Sequence, residues 1–126
     1  MKKVIVRNLY TVGMHHCGGK ELSIGPLHYC RLEEDNPKDQ NAVTTFGDKE
    51  RRQRVAYFRR EDAVVLAHFF RQNLVYDHCY VRAKFSPNKF SEKKGPMQNG
   101  SVAFVCPDDR ITEVKNHLTS YAHKIW

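Results

Sequence analysis

Four short runs rich in β-branched and aromatic residues come before the first segment with helical periodicity, and that order excludes most folds. Lys3–Val12, Leu27–Leu32, Asn41–Phe46 and Arg54–Phe58 read as strands, with Gly13, Gly18, Gly19, Gly25 and Pro26 as turn formers among them. The third and fourth form a hairpin around Gly47 and Asp48. Ala63, Leu66, Ala67 and Phe70 then fall at i, i+3, i+4 and i+7, with Glu61 and Asp62 in the first turn, where the helix dipole favours negative charge. A helix is therefore predicted from Glu61 to Gln72. Cys79–Phe85 and Ser101–Cys106 supply two more strands, on either side of a stretch, Ser86–Gly100, whose Pro, Gly and Asn content reads as an irregular loop. Ile111, Val114, Leu118, Tyr121, Ala122 and Ile125 repeat at helical spacing after Pro107, with Asp108 or Asp109 available as the N-cap. Four strands, a helix, two strands and a helix argue against a parallel βαβ sheet. The expectation is a mainly β chain: a single domain over residues 1–126, built as a small six-stranded antiparallel β-barrel with two flanking α-helices.

A chain of 126 residues with 40% hydrophobic content can bury a core without disulfides or a structural metal. Its longest apolar runs, such as Ala63–Ala67, fall far short of the ~20 residues a membrane helix needs. Lys2 and Lys3 are followed only by Val4–Val6 before Arg7 and Asn8, which leaves no apolar stretch for a secretory signal. The expected setting is inside the cell, away from membranes. Cys17, Cys30, Cys79 and Cys106 contain no C-x-x-C pair and read as small buried hydrophobes rather than disulfide partners. His28 and Cys30 share a strand face, which alone makes no zinc site, so no metal and no cofactor are expected.

The charge is more informative. The chain carries 21 Lys+Arg against 14 Asp+Glu, and 21 − 14 = +7. Lys49, Arg51, Arg52, Arg54, Arg59 and Arg60 form one cluster, and Arg82, Lys84, Lys89, Lys93 and Lys94 another, so 11 of the 21 cations occupy 25 positions. Such clusters attract a polyanion, and nucleic acid adds the release of its counterions. Tyr57 and Phe58 lie beside the first cluster and Tyr80 and Phe85 beside the second, which is the mixture of cation and flat surface that single strands use. A basic groove could instead serve a protein-interaction adaptor that takes an acidic or phosphorylated peptide. Against the positive background stands Glu33–Val43, EEDNPKDQNAV, where Glu33, Glu34, Asp35 and Asp39 crowd together. Asn36-Pro37 is a turn former, and Asp39 suits an Asx-turn. A magnesium-dependent hydrolase would need ligands converging from several elements, whereas these four share one loop. No Gly-rich phosphate loop or G-x-S-x-G elbow is present either, and the chain is not expected to be an enzyme.

Three segments stand out together: Val12-Gly13-Met14-His15-His16-Cys17-Gly18-Gly19, the loop Glu33–Val43, whose Asn36-Pro37-Lys38-Asp39-Gln40-Asn41-Ala42 is the specific element, and Val55-Ala56-Tyr57-Phe58-Arg59-Arg60 leading into the helix. They resemble the HIRAN domain, a module found on fork-remodelling DNA translocases and also on its own. The resemblance implies an OB-like barrel that binds single-stranded DNA and grips its 3′-hydroxyl end. By position it makes Asp39 the carboxylate on the terminal hydroxyl, Asn36 a residue lining the terminal-nucleotide pocket and Arg60 a cation on the phosphate. His16 and Cys17 stand where the family has two stacking aromatics, and Lys38 where it often has a Tyr. The candidate DNA-binding residues are thus His15, His16, Asp35, Asn36, Lys38, Asp39, Tyr57, Arg59 and Arg60. A monomer is expected, acting in DNA repair or fork processing, with a larger DNA-remodelling protein as a second partner and a nuclear location in a eukaryote.

Overall fold

The computed structural model describes residues 2–12, 21–47, 53–87, 89–91 and 95–125, and the side chains of these except at 76–78, 89–91 and 120–125. The strands are β1 (Lys2–Val12), β2 (His28–Leu32), β3 (Val43–Phe46), β4 (Arg54–Phe58), β5 (Tyr76–Ala83), β6 (Lys89–Ser91) and β7 (Gly95–Cys106). Helix α1 spans Arg60–Arg71 and α2 spans Ile111–Ile125. All strand pairings are antiparallel, in the order β1-β4-β3-β2-β5-β7, and β7 pairs again with β1 to close a six-stranded barrel. The β1–β4 seam is short, Thr11 opposite Phe58 and Val12 opposite Tyr57. The short β6 folds back on β7 outside this ring.

The order of elements is the expected one, and two local expectations are corrected. Much of Ser86–Gly100 is not irregular: Gly95–Gly100 opens the 12-residue β7, and Lys89–Ser91 pairs with Gly95–Met97. Polar Gln98 hid this strand, yet it is fully buried because its side chain works as backbone does. Its Oε1 accepts from Leu22 N at 2.8 Å, and its Nε2 donates to Leu22 O at 3.1 Å and Phe85 O at 3.0 Å. The second correction concerns Asp108 and Asp109, neither of which is the N-cap. Both acids lie instead inside a 3-10 turn, Asp108–Arg110, which Pro107 caps and which leads into α2 at Ile111.

The core explains the pattern. In β1, Val4 and Val6 face inward, and then a bulge shifts the phase so that Leu9 and Thr11 do. Asn8 makes that shift at φ 62°, a left-handed conformation that Asn tolerates better than most residues. Opposite the bulge stands Gly100, where a Cβ would come within 2.8 Å of Val81 Cγ2. Helix α1 sends Phe69 into the barrel, 5.3 Å from the ring of Phe104 on β7, and ends in a Schellman turn. There Leu74 N donates to Phe69 O at 2.8 Å and Asn73 N to Phe70 O at 3.2 Å, with Asn73 at φ 55°. The α2 face is described through Val114 and Leu118, both packed on this core, while the side chains of Tyr121, Ala122 and Ile125 lie outside the described residues. Among the described residues no helix is long and apolar enough to cross a membrane.

Candidate nucleic-acid interface

The loop between β2 and β3 is built by its own polar side chains. Glu33 N donates to Ala42 O at 2.8 Å and closes the base. Inside, Asn36 Oδ1 accepts from Lys38 N at 2.9 Å and from Asp39 N at 3.3 Å, two amides that Pro37 leaves without a strand partner. Asp39 Oδ1 accepts from Asn41 N at 2.9 Å, the expected Asx-turn. The other oxygen, Oδ2, lies 3.8 Å from Arg60 Nε at the start of α1. The loop is pinned from the far end of α1, where Arg71 donates to Asn41 Oδ1 and, at 2.8 Å, to Gln40 O. Arg71 was not a sequence candidate; its only signal was a cation in the last turn of a helix.

The four carboxylates of the loop go separate ways. Glu33 is buried and takes Thr44 Oγ1 at 2.6 Å and Arg54 Nε at 2.7 Å. Burial alone would raise its pKa, but hydrogen bonds from Arg54 and Thr44 and the charges of Arg54 and Arg31 outweigh that and hold it below the usual carboxylate value. Glu34 and Asp35 are exposed, and Asp39 is half-buried. Among the described residues no three acids, His or Cys converge as a metal site.

The consecutive arginines part company as well. Arg60 is 75% exposed, open to any anion that approaches the Asp39 loop. Arg59 is 19% exposed, its Nε 2.7 Å from Asp62 Oδ2 and its guanidinium 4.9 Å over the ring of Tyr10. Asp62, fully buried, also accepts from Tyr10 N at 2.8 Å. Tyr57 is half-buried on β4, where it pairs with Val12 of β1 and Thr44 of β3. Asn36, Lys38, Asp39 and Arg60 are thus brought to one rim, with Asp35 exposed on the same loop. His15, His16 and Cys17 lie outside the described residues. The second basic cluster has Arg82 and Lys84 on and beyond β5, away from this loop; the side chain of Lys89, and Lys93 and Lys94 entirely, are outside the description, as are Lys49, Arg51 and Arg52 of the first.

No family model and no curated protein matches the chain. Solved structures do. The crystal structure of the HIRAN domain of human HLTF aligns with a TM-score of 0.70 over 93% of this chain and 88% of that chain, at 15% sequence identity. The chain folds as a HIRAN domain. An NMR structure of the HLTF HIRAN domain agrees, at a TM-score of 0.66 and 15% identity over 94% of this chain and 88% of that one. Within this HIRAN fold the remaining cysteines behave as packing residues: Cys30, Cys79 and Cys106 are buried free thiols. Cys30 and Cys79 stand directly opposite each other on β2 and β5, and burial, then their mutual contact, pushes the Cys30 thiol up.

Proposed function

We propose that the chain is a single-stranded DNA-binding module that recognises a 3′-hydroxyl end at the Asp39 loop and serves a larger DNA-remodelling protein. The observation that carries this reading is the division of labour within one carboxylate. Oδ1 of Asp39 is committed to the turn, while Oδ2 faces an exposed arginine at a distance too long for a hydrogen bond. A sugar hydroxyl can donate to that oxygen while the phosphate on its 5′ side meets Arg60, and neither contact disturbs the loop. Asn36 spends its carbonyl on the backbone, so it shapes the pocket, and Lys38 beside it adds exposed charge. The HIRAN fold supports DNA binding as the class of function.

The test compares strands that end in a 3′-hydroxyl or a 3′-phosphate. The phosphate sets negative charge against Asp39 and removes the donor, so affinity should fall on the order of 10- to 100-fold, the worth of a charge-assisted hydrogen bond of about 1.5 to 3 kcal/mol. Asp39→Asn is the informative variant, because its side-chain oxygen can keep the turn while its amide takes the place of the accepting oxygen. It should melt like the native protein and lose the preference for the 3′-hydroxyl. A protein indifferent to the 3′ group would overturn end recognition.

A further inference from the structure

Away from the Asp39 loop, the outer face of β1, β7 and β5 forms an open groove of about 420 Å³. Its shape follows from register. Small Ser101 and Ala103 of β7 make the floor, and the longer side chains of the flanking strands make the walls. Lys3, Ile5 and Arg7 project from β1 at alternate positions; Tyr80 and Arg82 project from β5, with Lys84 just past its end. Ala103 is the partner of both Ile5 and Tyr80, so the walls stand two strand spacings apart, ~10 Å, which is one extended chain wide. Among the described residues that line the groove four are cations and none is a carboxylate. Ile5 is 50% exposed and Leu27, at the rim, 51%.

Flat side chains decide between possible occupants. Tyr80 has Tyr29 of β2 as its cross-strand partner, ring centroids 6.1 Å apart, both half-buried, and the buried ring of Phe46 backs Tyr29 at 5.9 Å. An acidic peptide would use the cations but gain little from the two tyrosine rings, whereas unpaired bases stack on rings and place phosphates against cations. We propose that this groove is a second nucleic-acid contact, which holds the backbone of a single strand by Lys3, Arg7, Arg82 and Lys84 and receives bases toward Tyr80. The contact reads charge and base planes and not the strand end, so it stands apart from the role assigned to Asp39.

Fluorescein-labelled oligothymidylates of ~5 and ~20 nucleotides test it by anisotropy across salt concentrations, since single-strand site sizes run to about 16 nucleotides per OB fold. Combining Arg7→Ala, Arg82→Ala and Lys84→Ala should leave the short, end-bound strand nearly unaffected. For the long strand it should weaken binding on the order of 10- to 100-fold and flatten the log K against log[salt] slope by about 2, at ~0.7 per phosphate released. Asp39→Asn should leave that slope unchanged. Should the triple variant lose its native melting point, Lys84→Glu alone, outside any strand, is expected to act in the same direction. Wild-type slope and affinity in a folded groove variant would overturn the groove while leaving end recognition intact. So would displacement of the long strand by poly-glutamate as readily as by unlabelled oligothymidylate, which would mark a surface for acidic peptide instead. Wild-type protein that fails to bind the long strand overturns the groove outright. Wild-type protein indifferent to the 3′ group, with the groove variant still flattening the slope, would sink only the Asp39 reading.

Discussion

Arg59 and Arg60 stand side by side at the start of α1, and each faces a carboxylate: Asp62 at 2.7 Å for the first, Asp39 at 3.8 Å for the second. The first pair is sequestered. Asp62 is fully buried and also holds the amide of Tyr10, so one carboxylate ties β1, the end of β4 and the first turn of α1 together. The second pair is open, with Arg60 75% and Asp39 26% exposed. Solvent screens it, and an exposed pair of this kind contributes about 0 to 1 kcal/mol. The difference shows what a buried ion pair and a surface one are each suited to. The buried pair cannot exchange its partner without unfolding the junction, whereas the open pair can trade its weak mutual attraction for a ligand.

The contrast breaks if Asp62 proves dispensable. Asp62→Ala leaves Arg59 and the Tyr10 amide facing a buried void, and removal of one member of a buried pair costs about 3 to 5 kcal/mol. Thermal melting should fall by roughly 10 °C or more, with all nucleic-acid ligands weakened together because the fold is what is lost. A variant that melts normally would show that the Arg59–Asp62 contact carries no structural load.

Glu33 and Arg54 make an intermediate case, a buried acid with a half-exposed base. Because the Glu33 pKa is lowered in the folded state, the unfolded chain binds more protons between the folded value and the ordinary one near ~4.3. Its stabilisation is fully present above the ordinary value and is lost as pH falls through the folded one. Glu33→Gln should therefore cost about 1 to 2 kcal/mol near neutrality, through the lost charge-assisted bonds, and the deficit should shrink as pH drops below ~4. Melting curves from pH 7 to 3 check this; a deficit constant across that range would mean that Glu33 acts by shape alone.

These three carboxylates also mark how far sequence reasoning reaches. Local pattern found both helices and the six barrel strands, save the first half of β7, because strand-forming runs and helical spacing reflect local geometry that the barrel then uses. The Asx-turn of Asp39 was legible for the same reason: its partner is two residues away. Glu33 looked like its three acidic neighbours, and only the β2–β3 and β3–β4 pairings bring Thr44 and Arg54 to it. Asp62 read as a helix-dipole residue, since nothing local announces a bond to an amide 52 positions earlier. The basic groove was hidden more thoroughly. Sequence clustering drew attention to Lys49–Arg60 and Arg82–Lys94, whereas the groove joins Lys3 and Arg7 to Arg82 and Lys84 through the closing β1–β7 pairing. A charge cluster in sequence and one in space coincide only where the fold keeps neighbours together.

The smallest expected effect sharpens the comparison most, because it asks what Arg60 does once the fold is unaffected. Arg60→Ala removes an exposed side chain whose Nε lies 3.8 Å from Asp39 Oδ2, so the melting point should stay within experimental scatter of the native one. Binding should weaken equally for every base sequence, since phosphate contacts position a strand without reading it. The salt slope should fall by about 0.7, one phosphate's worth on a single strand. Arg59→Ala should do the opposite, lowering stability through Asp62 while its salt slope, measured on the folded fraction, stays put. If the two variants exchange these behaviours, the assignment of one arginine to the fold and its neighbour to the ligand is reversed. Equal losses of slope in both would place both arginines on phosphate and leave Asp62 to hold the junction through Tyr10 alone.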